Sequence, residues 1–294
     1  MTKIKTISGL RDIYKNYDIF ILDQWGVMHD GNIGYSHAIE CIEKLYTNNK
    51  KLIIISNSSK KKETTVFRLP ELGFDKIYFD EIMTSGEMIW QSLVNKSDDV
   101  TMNLGERGFH IYDESKEDGK KYLNGLEKFN FVNTIDRADF ILGCTPFANK
   151  KVIDYIPLLT IAKNNNLPFV CANPDFDTVE NHSGKLTFCM GTIAELYQNM
   201  GGKIFILGKP NVEIYKQSIK KILNPDRSRI LAVGDSLHHD IKGAINFGID
   251  SLLITSTGIH HKSFNKNKPC WNDEMNKFKN LAINPTFICS EFKF

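Results

Sequence analysis

The residues that could do chemistry in this sequence stand at the ends of short apolar runs. Asp23 follows Ile19-Phe-Ile-Leu22, and Gly26 comes three residues later. Ser56 and Asn57 follow Leu52-Ile-Ile-Ile55, and Gly208-Lys209-Pro210 follows Ile204-Phe-Ile-Leu207. Asp235 follows Ile230-Leu-Ala-Val233 and Gly234, with Asp240 five residues on. Such runs read as buried strands. Polar groups at the carboxyl ends of strands sit where open α/β sheets take their ligands. As a set they suit phosphate. Asp23 could attack phosphorus. The Ser56 hydroxyl and a neighbouring backbone N–H, at Asn57, could hold phosphoryl oxygens. Lys209 could neutralise charge on nucleophile and phosphate. Asp23 and Asp235 could share Mg²⁺, which prefers hard oxygen ligands, with Asp240 orienting them from behind.

Taken singly, each residue also has a plain reading. Asp23 could open a turn, Ser56 could cap the next helix, and Lys209 could be a surface lysine. Asp235 and Asp240 could serve a turn and a helix start. The ordered combination, each member after an apolar run, favours a site.

The elements that must position these residues alternate. Helical spacing runs from Ser36, a candidate cap, through Ile39, Ile42, Leu45 and Tyr46 to Asn49. A helix-like stretch ends at Leu72 and Gly73, and a strand then a helix are expected over 81–95. Strands are expected at 101–104, 109–112, 139–143 and 169–172, and helices at 152–164 and 192–200. The last third repeats the pattern, with helices at 212–222 and 241–247 and strands at 251–254 and 286–289. Alternation of this kind gives right-handed crossovers and a mainly parallel sheet. Residues 262–281 are polar and poorly patterned, and read as a surface excursion.

Composition narrows the function. With 37 Lys and Arg against 35 Asp and Glu, the chain implies no polyanionic partner, and Lys60-Lys61-Lys62 reads as a solvated face rather than a nucleic-acid stripe. No apolar stretch is long enough to span a bilayer, and residues 1–18 lack the apolar core of a secretory signal. Asp12 and Asp18 also fit a mitochondrial presequence poorly, so the expected location is cytoplasmic. The six cysteines form no C-x-x-C pair and read as reduced, mostly buried thiols.

The order Asp23, Ser56, Lys209, Gly234-Asp235-x-x-x-x-Asp240 resembles the haloacid dehalogenase (HAD) superfamily. The long insert between Ser56 and Lys209, with Asn173-Pro174-Asp175 inside it, resembles the class IIA branch, which includes phosphatases of small phosphorylated compounds. The resemblance covers nearly the whole chain. It implies an α/β fold with a Rossmann-like core, a parallel sheet and an inserted α/β cap, divided as 1–106 and 201–294 for the core and 107–200 for the cap. It implies that Asp23 is the nucleophile and that the backbone carbonyl of Trp25 joins Asp23 and Asp235 around Mg²⁺. Asn173 and Asp175 would contact a small phosphorylated substrate, and the cap would be a candidate homodimer surface.

One departure matters. The family's phosphatases usually carry a second Asp where this chain has Trp25. That Asp protonates the leaving oxygen and then activates water; an indole N–H does not titrate usefully. Losing a general acid–base costs typically about 10²–10⁴-fold, while a metal-binding carbonyl survives the change. His29, Asp30, His238 and His239 stand near enough in sequence to be considered as substitutes. As loop and helix-start residues, they and the His260-His261 pair are expected to face solvent. Three readings follow: a Mg²⁺-dependent phosphohydrolase with weak turnover, a non-catalytic HAD-fold binding module, and dehalogenase-like chemistry, whose halide leaving group needs no proton. Retention of Asp235 and Asp240 argues against the third.

Overall fold

Six of the apolar runs lie side by side with the short strand Lys5–Thr6 in one parallel sheet. In the computed structural model, which describes residues 4–179, 186–261 and 283–294, the order is Lys5–Thr6, Phe287–Cys289, Asp250–Ile254, Ile230–Gly234, Ile19–Leu22, Lys51–Ser56, Glu81–Thr84. Alternation sorts the side chains between two cores. Phe20, Leu22 and Ile54 pack with helix Ser36–Thr47 on one face, and Ile19, Ile21, Ile53 and Ile55 pack with helix Val212–Ile219 on the other. Both faces are covered, as a parallel sheet requires. Each fully buried Leu or Ile contributes about 1.5–3 kcal/mol. Helix Ser36–Thr47 buries Ala38, Cys41, Ile42 and Leu45 at the expected spacing, but its cap position is Tyr35, and Ser36 is its first residue rather than its cap.

Register then fixes the edge. Leu22 lies opposite Val233 on one side and Ile54 on the other. Asp23, Asp235 and Ser56 therefore leave adjacent strands in the same direction, with the strand of Asp23 in the middle.

A second parallel sheet is built from the inserted residues, in the order Ile204–Ile206, Phe169–Cys171, Phe140–Gly143, Arg107–Ile111, Asn130–Val132. Its first strand corrects the expected boundary. The segment 201–294 expected for the core contains Ile204–Ile206, yet this strand pairs with Phe169–Cys171, so Lys209 reaches the core from the smaller sheet. The expected strand at 101–104 is instead the end of a short helix, Asp99–Met102, because the Asp98 side chain accepts from the Thr101 N–H at 2.8 Å and caps it. An antiparallel hairpin, Asp177–Val179 with Leu186–Phe188, completes the insert. Of the cysteines, Cys41, Cys144, Cys171, Cys189 and Cys289 are free and buried, as expected. Cys270 and the excursion at 262–281 lie outside the described residues. No helix among the described residues is long and apolar enough to cross a membrane.

One buried group in the smaller sheet is unsatisfied. His110 is 8% exposed, stacks on Tyr112 at 4.4 Å, and neither ring nitrogen finds a partner among the described residues. Burial pushes its pKa from the usual 6.5 down to about 4. The folded state therefore binds fewer protons than the unfolded one, and this contribution to stability is present above pH 6.5 and lost as pH falls through 4. Replacing the orphaned ring by an apolar one of similar shape, His110→Phe, is expected to stabilise the fold by about 1 kcal/mol. The same variant is expected to shrink the loss of melting temperature between pH 6.5 and 5. An unchanged acid limb in thermal melts would show that His110 does not carry it.

Candidate active site

Asp23, Lys209, Asp235 and Asp240 meet at the carboxyl edge of the large sheet, each less than a tenth exposed. Asp23 is anchored by its own N–H, which donates to the Val233 carbonyl at 2.9 Å. The Lys209 ammonium donates to Asp23 Oδ1 and, at 2.7 Å, to Asp240 Oδ1. Asp240 Oδ2 accepts from the Ser236 N–H at 3.0 Å, which locks the turn before it. Asp235 Oδ2 accepts from the Ile259 N–H at 2.8 Å. Lys209 is 3% exposed, which removes its reading as a surface lysine. Ser56 is not a helix cap, since the next helix, Lys62–Arg68, is preceded by Lys61; its Oγ accepts from the Ser58 N–H at 3.2 Å.

One carboxylate oxygen from each of Asp23, Asp235 and Asp240 lies within 4.8 Å of the others. Three buried carboxylates against one ammonium leave an excess of negative charge where desolvation is costly. Burial first, then repulsion from Asp240, push the Asp23 carboxyl up to about 7 despite the pull of Lys209. Burial and the two neighbouring carboxylates push Asp235 well up as well. Burial works against the Lys209 charge, but Asp23 and Asp240 more than offset it and raise its pKa. Hard oxygen donors and an uncompensated charge fit a small divalent cation. The backbone is shaped around this carboxylate too. Gly26 at φ +78° and Gly258 at φ +80° face Asp235, and a Cβ on them would stand 2.4 Å and 1.9 Å from its Oδ2. Only glycine takes both the left-handed backbone and the close approach.

Asn57 ties the Lys209 backbone down. Its Oδ1 accepts from the Lys209 N–H at 2.7 Å, and its Nδ2 donates to the Lys209 carbonyl at 3.1 Å and to Asp175 Oδ1 at 2.8 Å. Asn173 Oδ1 accepts from the Asp175 N–H at 3.1 Å. Asn57 and Asp175 thus meet beside Lys209, and Asn173 holds Asp175 in place. Ser56, Asn173, Asp175 and Trp25 line one cavity of about 740 Å³ between the large sheet's edge and the insert.

The histidines correct the expectation of solvent-facing side chains. His239 is 5% exposed, with Nδ1 3.0 Å from Ser236 Oγ and 3.3 Å from Asp175 Oδ1, and Nε2 3.1 Å from the Pro174 carbonyl. It joins the turn that carries Asp240 to Asn173-Pro174-Asp175. His29 is 6% exposed and packs edge-on against Trp25, ring centroids 5.7 Å apart. His238 is half-buried beside Phe176, and burial lowers its pKa. Sequence reasoning missed His239 as a contact, and the clamps from Gly258 and Ile259 on Asp235. Gly258, which follows a strand end as Gly26 does, was the available signal.

Two family models match the chain. A haloacid dehalogenase-like hydrolase model matches residues 20–119, and a HAD-hydrolase-like model matches residues 206–292. The 5'-nucleotidase YutF of Bacillus subtilis is 26% identical over 280 residues, 87% of this chain and 94% of that protein. An acid sugar phosphatase of Staphylococcus epidermidis is 24% identical over 248 residues, 83% and 88% of the two chains. The crystal structure of a haloacid dehalogenase-like family hydrolase from Brucella suis superposes with a TM-score of 0.80 at 27% identity, covering 97% of this chain and 99% of that one.

Proposed function

We propose that this chain, which belongs to the haloacid dehalogenase superfamily of hydrolases, is a Mg²⁺-dependent phosphatase of a small phosphorylated metabolite that works through an aspartyl-phosphate at Asp23. The observation that carries the reading is the buried cluster of Asp23, Asp235 and Asp240 around a single Lys209. Relatives named as a nucleotidase and a sugar phosphatase support the reaction class.

Asp23, Asp235 and the Trp25 carbonyl would hold Mg²⁺, which when bound supplies charge for the phosphoryl oxygens and lowers the Asp23 pKa. Lys209 orients Asp23 and offsets part of the burial that raises its pKa. Ser56 and the Asn57 N–H hold phosphoryl oxygens. The Asp23 oxygen forms a bond to phosphorus as the ester P–O bond breaks, and the electron pair leaves on the ester oxygen. Water then attacks the same phosphorus, the bond to Asp23 breaks, and inorganic phosphate departs. Trp25 gives the ester oxygen no proton, so that proton comes from water. Poor leaving groups are the ones slowed.

Acetyl phosphate and p-nitrophenyl phosphate are therefore expected to turn over with Mg²⁺, faster than glycerol 3-phosphate, and not in EDTA. Metal uptake should also release protons. At pH 6.5 the metal-free Asp23 carboxyl, with its pKa near 7, is largely protonated. Titrating Mg²⁺ calorimetrically in two buffers of different ionisation enthalpy should give different heats, and apparent affinity should rise with pH. Equal heats in both buffers would mean that Asp23 and Asp235 are already ionised in the metal-free protein. Trp25 favours a second reading, a HAD-fold protein that binds its ligand without turnover. Absence of Mg²⁺-dependent hydrolysis of all three compounds, with retained binding, would select it.

A further inference from the structure

Most charged residues around the cavity already have partners. Lys60 holds Asp118 at 2.8 Å, Lys116 holds Asp113 at 3.2 Å, and Asp175 is held by Asn57 and His239. Arg68 differs. It ends the helix Lys62–Arg68, is half-buried, and lines the cavity. Its Nη2 donates to the Gly31 carbonyl at 2.7 Å, which fixes the guanidinium without neutralising it, and it forms no ion pair with a carboxylate among the described residues.

The same glycine orients His29. The Gly31 N–H donates to His29 Nδ1 at 3.0 Å, so the neutral ring carries its proton on Nε2. Nε2 has no protein acceptor among the described residues, and His29 also lines the cavity. A fixed cation and a fixed neutral donor thus flank Gly31, beside the Trp25 ring that packs over it. Asp118 acts on Arg68 electrostatically without forming an ion pair with it, so the half-buried guanidinium can still take an anion that meets it directly.

We propose that Arg68 and the Nε2–H of His29 form an anion subsite for the end of the substrate remote from its phosphate, so that the preferred substrates are small phosphomonoesters carrying a carboxylate. A guanidinium presents a planar fork that matches a carboxylate in two parallel hydrogen bonds. The inference rests on the phosphatase reading and adds the second end of the substrate.

The test uses two probes with one skeleton: 3-phosphoglycerate, and glycerol 3-phosphate, which has CH₂OH in place of the carboxylate. Wild-type protein with Mg²⁺ is expected to prefer 3-phosphoglycerate about 10–100-fold in kcat/KM, the range of a charge-assisted hydrogen bond. Arg68→Met should collapse that ratio towards unity through KM, Arg68→Lys should restore part of it, and His29→Phe should lower it by a smaller factor. The same ratio is read in dissociation constants by calorimetry on Asp23→Asn protein, which does not depend on turnover. No preference in wild type, or an equal loss for both probes in Arg68→Met, overturns the subsite. If neither probe nor p-nitrophenyl phosphate is hydrolysed, the phosphatase reading fails, and the calorimetric ratio still decides the subsite.

Discussion

Asp23→Asn protein is expected to hydrolyse p-nitrophenyl phosphate at least about 10³-fold more slowly than wild type, the scale of a lost nucleophile. The amide keeps the size of the side chain and its place after Leu22, but its oxygen is neutral and forms no acyl phosphate. Rapid quenching should trap acid-stable, base-labile phosphate on the wild-type protein and none on the variant. Folding is a separate readout, and the site's electrostatics give its sign. Asp23 sits buried beside two other carboxylates, and burial and repulsion lift its pKa to about 7. Neutralising it removes that repulsion, while Lys209 keeps its 2.7 Å bond to Asp240. In EDTA the variant should therefore melt no lower than wild type. A variant that is inactive because it is unfolded would fail this comparison. A variant that stays active would move the nucleophile elsewhere.

Much of this site was legible because parallel sheets convert sequence order into position. Buried strands are short apolar runs, and the residue after each run goes to one edge. Asp23, Ser56 and Asp235 were readable on that rule alone. Lys209 obeyed the rule for the wrong sheet. Its strand, Ile204–Ile206, looks like the others in composition, and only backbone pairing with Phe169–Cys171 assigns it to the insert. Lys209 still reaches Asp23, because Gly208-Lys209-Pro210 lies where the chain returns to the core and Asn57 bonds both its N–H and its carbonyl. The strand Asn130–Val132 and the hairpin Asp177–Val179 with Leu186–Phe188 are too short for periodicity to register. The burial of His29 and His239 was unreadable for another reason. His29 is held by the Gly31 N–H, and His239 by Ser236, Asp175 and the Pro174 carbonyl from across the fold, and no spacing encodes such bonds.

Trp25 offers the converse experiment. Trp25→Asp is expected to raise the hydrolysis of glycerol 3-phosphate by about 10²-fold or more, the lower end of what a positioned acid–base supplies. Its effect on acetyl phosphate should be smaller, because that leaving group needs no proton and only the attack of water gains. The geometry permits the change. Trp25 is half-exposed in the cavity wall, its ring lies over Gly31, and its backbone carbonyl is unaltered by substitution. Asp at this position adds a fourth carboxylate close to Asp23, Asp235 and Asp240, so the gain should appear only with Mg²⁺ bound and should be absent from metal-free protein. Trp25→Phe is the control: it keeps an apolar ring beside His29 and should gain nothing. Equal rates for wild type, Trp25→Asp and Trp25→Phe would mean that proton transfer does not limit turnover. A gain confined to Trp25→Asp, larger for the alkyl phosphate than for the acyl phosphate, would identify proton transfer to the leaving group as the step that limits the wild-type protein.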